Sequence, residues 1–159
     1  MTSESDHKQL LLVYHSQTGH TRGLMQAVLS GARDPQIDGV HARLLRAADA
    51  GVADLLQADA LVLGTPENFG YMSGAMKDFL DRVYYPCQGR IEGLAYALVI
   101  SAGNDGQGAQ RSIERIVRGF PLRQAQAPII VRGTPGAEDL GRCEELGATM
   151  AASLSLGLI

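Results

Sequence analysis

The chain of 159 residues has no tryptophan, two cysteines and a formal net charge of only −3, and each shortage removes a class of function. Cys87 and Cys143 lie far apart with no metal-ligand or redox spacing, so they read as free thiols and no metal site is expected. Fourteen Lys and Arg stand against seventeen Asp and Glu, and the arginines are scattered, so there is no electrostatic footprint for nucleic acid. No apolar run approaches membrane-spanning length, and residues 1–9 are polar with no apolar signal core, so a cytoplasmic protein without a membrane segment is the expectation. Repeats and low-complexity tracts are also missing, which leaves one domain over residues 1–159, large enough to bury a substantial core. Two phosphate signatures are absent as well: neither three spaced glycines at a strand-to-helix turn nor a terminal Gly-Lys-Ser/Thr occurs.

What the chain does carry is Tyr14-His15-Ser16-Gln17-Thr18-Gly19-His20-Thr21-Arg22, between an apolar run and a helix-patterned segment. The first-turn N–H groups of a helix are unpaired and sit at the positive end of its dipole. Hydroxyls from Ser16, Thr18 and Thr21 add donors, which suits a single phosphate better than a pyrophosphate. Taken alone, the loop also reads as an ordinary turn in which Thr18 or Thr21 caps a helix.

Three near-continuous apolar runs, 10–14, 60–63 and 94–100, predict strands buried on both faces. Residues 40–44 alternate and Pro128 opens the run 128–131, so these two predict edge strands. Helical spacing lies between them, at Leu24, Val28 and Leu29, at Val52, Leu55 and Leu56, and at Met76, Phe79, Leu80 and Val83. It recurs at Ile113, Ile116, Val117 and Phe120, then at Leu140, Cys143, Gly147, Met150 and Leu154. Such alternation implies an α/β three-layer sandwich with a five-stranded parallel sheet of order 2-1-3-4-5. In that order the loops after strands one, three and four converge at the switch point where ligands of open sheets bind.

The loop after strand three, Gly64-Thr65-Pro66-Glu67-Asn68-Phe69-Gly70-Tyr71-Met72-Ser73-Gly74, mixes aromatics with glycines and suits a planar polar ring; alone, it could equally be a long turn packed on its helix. After strand four, Ser101-Ala102-Gly103-Asn104-Asp105-Gly106-Gln107-Gly108 has three glycines and no aromatic. A phosphate cradle, an aromatic loop and a glycine loop at one crevice describe flavin mononucleotide.

These residues resemble the flavodoxin-like superfamily over essentially the whole chain. Ser16-Gln17-Thr18-Gly19-His20-Thr21 is similar to its phosphate loop. Gly64-Thr65-Pro66, Phe69-Gly70-Tyr71-Met72-Ser73-Gly74-Ala75-Met76-Lys77 and Phe79-Leu80-Asp81-Arg82 closely resemble the ring loop and third helix of FMN-dependent NAD(P)H:quinone oxidoreductases of the tryptophan-repressor-binding-protein type, here in a short form. The resemblance implies that Ser16, Gln17, Thr18, Gly19, His20 and Thr21 hold the FMN phosphate, and that Pro66, Glu67, Asn68, Phe69 and Gly70 line the ring. It also implies that Ser101, Ala102, Gly103, Asn104, Asp105 and Gly106 border ring and ribityl chain. NAD(P)H is then the reductant, a quinone-like molecule the acceptor, and the flavin carries the chemistry with no catalytic side chain.

A flavodoxin-type one-electron carrier and a flavin-free module on the same architecture are the competing readings. The aromatic-free third loop favours the reductase, because it leaves one ring face open to a substrate, and the near-balanced charge points the same way. His15 and His20 read as hydrogen-bonding scaffold, and Glu67 as a solvated loop carboxylate. Tyr84-Tyr85-Pro86 reads as a helix stop that also suits an interface between copies in a homo-oligomer.

Overall fold

The computed structural model describes residues 6–159; residues 1–5, within the polar start read above, lie outside the described residues. In chain order the elements are β1 (Lys8–Tyr14), α1 (His20–Ala32), β2 (Val40–Arg46), α2 (Val52–Gln57), β3 (Ala60–Asn68), β4 (Tyr71–Met72), α3 (Gly74–Cys87), β5 (Ala95–Ala102), α4 (Gln107–Val117), β6 (Arg123–Gln124), β7 (Ile129–Arg132) and α5 (Ala137–Ser155). No described helix is long and apolar enough to cross a membrane.

The apolar runs are strands covered on both faces, so consecutive residues divide between two cores. Leu10, Leu12, Ala60, Val62, Ala97 and Val99 face α1 and α5. Leu11, Val13, Leu61, Leu63, Tyr96 and Leu98 face α2, α3 and α4. The α1–α5 side carries the smaller strand residues, and α1 and α5 also meet closely: a β-carbon on Gly147 would fall on the Val28 carbonyl. Cys143 lies in the first core and Cys87 in the second, both free, so the sheet separates the two thiols.

The parallel, doubly wound class expected from the alternation is present, but its strand count is corrected. The sheet has seven strands in the order β2-β1-β3-β5-β6, with β4 on β3 and β7 on β5. Every pairing is parallel except β3–β4. Two local effects account for the difference. The edge position beside β5 is filled in succession by β6, against Ala95 and Tyr96, and β7, against Val99 to Ala102. Between them comes Pro128, which has no N–H for a ladder bond. The second effect is that β3 runs past its apolar core, through Pro66 and Glu67 to Asn68, and folds back as a hairpin. Pro66, Glu67 and Asn68 are therefore strand residues, not loop residues, and so are Ser101 and Ala102 at the end of β5. Phe120 is buried as its spacing implied, but from the turn beyond α4.

Candidate cofactor site

The residues expected to form the site come from the carboxyl ends of β1, β3 and β5, the three neighbouring central strands. At the end of β1 the chain turns through Ser16 to Gly19 into α1. Gly19 takes the left-handed conformation (φ 98°) at the helix start, and Ser16 Oγ accepts its N–H at 3.1 Å. That bond uses the Ser16 oxygen as an acceptor and leaves its proton available to donate elsewhere. The N–H groups of the first turn of α1 have no partner within the helix, so the loop presents donors at the positive end of the helix dipole.

Thr21 is placed differently from the exposed Gln17 and Thr18. It is buried, and its Oγ1 lies 2.7 Å from Ser101 Oγ at the end of β5. One of these hydroxyls donates to the other, so one proton of the pair is left for a further acceptor. Gln17 reaches the hairpin, where its Oε1 accepts from Asn68 Nδ2 at 3.4 Å.

The hairpin is built from the pairs Glu67–Met72 and Asn68–Tyr71, with Phe69 and Gly70 as its two-residue turn. Both turn residues have positive φ, 54° and 70°, as a type I′ turn requires. Phe69 is the one non-glycine residue in that region among the described residues, and its ring is fully exposed. A large aromatic held in strained backbone with no core to pack against is a mark of a functional position. At the hairpin base, Thr65 Oγ1 accepts the Ser73 N–H at 3.0 Å and Ser73 Oγ caps α3 through the Met76 N–H at 3.2 Å.

Glu67 is not the solvated carboxylate the sequence suggested. Its Oε1 accepts from Gly106 N at 3.3 Å and its Oε2 from Ala109 N at 3.2 Å, so it caps α4 from another element. The third loop thus runs from Ser101 and Ala102 in β5 through exposed Gly103, Asn104 and Asp105 to Gly106, the left-handed start of α4. Asp105 Oδ1 steadies it by accepting the Gln107 N–H at 3.1 Å. Each of the three segments is therefore tied to the other two: Thr21 to Ser101, Gln17 to Asn68, and Glu67 to Gly106.

Sequence reasoning missed a fourth wall. A cleft of about 840 Å³ lined by Ser16, Gln17 and Gly19 is lined as well by Arg46, Ala47, Ala48 and Asp49, and by Arg22 of α1. Arg82 of α3 holds this wall, donating to the carbonyls of Ala47 at 2.7 Å and Ala50 at 2.8 Å, while Ala47 N–H donates to Tyr14 O at 2.7 Å. The signal was the strand order itself, since β2 lies beside β1 and its following loop emerges at the same end of the sheet.

With the parallel sheet and its crevice at the carboxyl ends in view, the architecture is that of the flavodoxin-like proteins. It superimposes on an archaeal flavodoxin with a TM-score of 0.77 at 22% identity, over 93% of this chain and 99% of that one. The chain belongs to the NADPH-dependent FMN reductase family, whose model matches residues 45–130. That span holds the hairpin and the third loop. In sequence the chain is 35% identical to a flavodoxin of Aquifex aeolicus over 100 residues, 63% of this chain and 53% of that protein. It is 32% identical over 124 residues to an NAD(P)H dehydrogenase (quinone) of Acidithiobacillus ferrooxidans, covering 66% of this chain and 62% of that protein. The chain spans between about half and three fifths of the length of these two curated relatives.

Proposed function

We propose that the chain is an FMN-dependent reductase that passes electrons from NAD(P)H to a quinone-like acceptor. The observation that carries this reading is the asymmetry of the crevice. One wall offers an exposed aromatic on a strained hairpin, and the other, Ser101 to Gly106, offers no aromatic, only small residues, backbone and the polar side chains of Asn104 and Asp105. A ring held there is covered on one side and open on the other.

The residues present fit FMN. Loop N–H groups, the Ser16 hydroxyl and the remaining proton of the Thr21–Ser101 pair would supply donors for a phosphate, and Arg22 would add positive charge beside the cleft, where Arg46 is already paired with Asp49 at 3.6 Å. Backbone of Asn68 to Gly70, fixed by the hairpin turn, would orient the ring's polar edge, and Phe69 would exclude water beside it. Bound FMN supplies the redox chemistry, and the chain binds it, orients it and leaves one face accessible. A cytoplasmic setting, where thiols stay reduced, fits the free cysteines.

The relative named flavodoxin supports a second reading, a one-electron carrier. Steady-state assay of FMN-loaded protein with NADPH or NADH and a benzoquinone separates the two: sustained turnover with parallel double-reciprocal lines is expected of the reductase, and no nucleotide oxidation of the carrier.

Tyr85 is 81% exposed and stacks edge-on against Tyr84 at 5.2 Å, beside a groove of about 640 Å³ that reaches Tyr71 of the hairpin. An interface between two copies at this face would set the second copy against the base of the hairpin. Tyr85→Glu should then shift a dimer to monomer in sedimentation, and a wild-type monomer at all concentrations would refute it.

A further inference from the structure

The hairpin that carries Phe69 is two residue pairs long, and a two-stranded ribbon of that size does not hold its shape unaided. Its support comes from α4. Ser112 Oγ accepts the Met72 N–H at 3.1 Å while donating to Ala109 O at 2.8 Å. Gly108 lies so close to the turn that a β-carbon there would fall on the Gly70 carbonyl. Glu67 differs from both, because its single carboxylate joins the hairpin to Gly106, the residue that ends the opposite wall, as well as to Ala109. The charge meets the positive end of α4, where a carboxylate is favoured, and both of its oxygens are occupied by backbone N–H groups.

We infer that Glu67 is a positioning residue that sets the spacing between the two ring walls, acting through Gly106 and the hairpin and not by touching the cofactor. This rests on the FMN reading above. The carboxylate fixes both walls relative to α4, so a ring inserted between them meets a crevice of set width. Glu67→Gln retains the size of the side chain, but an amide turns its NH₂ toward one of the two N–H donors and cannot serve both.

The test is FMN and riboflavin titration of the apoprotein by flavin fluorescence, for wild type, Glu67→Gln and Ser16→Ala. The inference expects Glu67→Gln to lose at least about tenfold in affinity for both ligands, about 1.4 kcal/mol, with their ratio unchanged, because the ring walls and not the phosphate loop have moved. Ser16→Ala should lower FMN affinity alone and so change the ratio. A second measurement needs no variant: FMN added to wild type should slow amide exchange at Gly106 and Ala109 together with Met72. Glu67→Gln affinities within twofold of wild type, a changed ratio in that variant, or exchange at Gly106 and Ala109 indifferent to FMN would each overturn the inference. A wild-type protein with no FMN affinity would instead overturn the functional reading itself, and the inference with it.

Discussion

Phe69 keeps a left-handed backbone angle with its ring wholly in solvent, so two effects of changing it can be weighed separately. Left-handed geometry costs a residue with a β-carbon roughly 1–2 kcal/mol, and glycine in its place would lose about 0.5–1 kcal/mol through the freer unfolded chain. The balance predicts that Phe69→Gly is no less stable than wild type, read as an unchanged or raised urea midpoint. Its FMN affinity should nevertheless fall about 2- to 10-fold, the worth of an aromatic contact. Ser16→Ala should weaken FMN by about ten- to a hundredfold, since a hydrogen bond to a charged group contributes about 1.5–3 kcal/mol. Riboflavin, which lacks the phosphate, should be affected little. That these loops lie together at the carboxyl ends of β1, β3 and β5 was legible in the sequence, because the strand order follows from the alternation of apolar runs with helical spacing. The commitment of Thr21 to Ser101 and of Glu67 to α4 was not, since both bonds join segments far apart in the chain and depend on how β3 and β5 align.

The elements that frame the crevice are held by contacts from their neighbours. Gly108→Ala places a methyl group against the Gly70 carbonyl and should push the hairpin tip outward. Weaker FMN binding is expected, with a stability loss of about 1–3 kcal/mol typical of overpacking. Arg82→Ala removes both donors that hold the loop after β2, and limited proteolysis should then cut within residues 46–50 where wild type resists. Helices and long strands were readable from periodicity because their faces are buried by whole rows of residues. The short pieces were not: β4 and β6 are two residues each and exist only by pairing with a longer neighbour, which no local pattern records.

Across the whole molecule, the sheet divides two cores, and the thiol in each is shielded. Burial pushes Cys143 up to about 11, and Cys87 shifts in the same direction for the same reason. A native thiol that stays protonated where the unfolded chain ionises means the unfolded state binds fewer protons, so stability falls as pH rises from near 9 toward 11, by up to about 1.4 kcal/mol per pH unit for Cys143. Urea midpoints across that range should fall, and Cys143→Ala should flatten the decline. Function is also a property of the whole, because the three loops converge only when the parallel sheet has formed. The most direct test of the reductase reading is anaerobic mixing of the FMN-loaded protein with NADPH, followed by flavin absorbance and then addition of a benzoquinone. The account predicts prompt bleaching by the nucleotide and full recovery of the yellow colour with quinone. A flavin that dithionite bleaches but neither NADPH nor NADH does would contradict it.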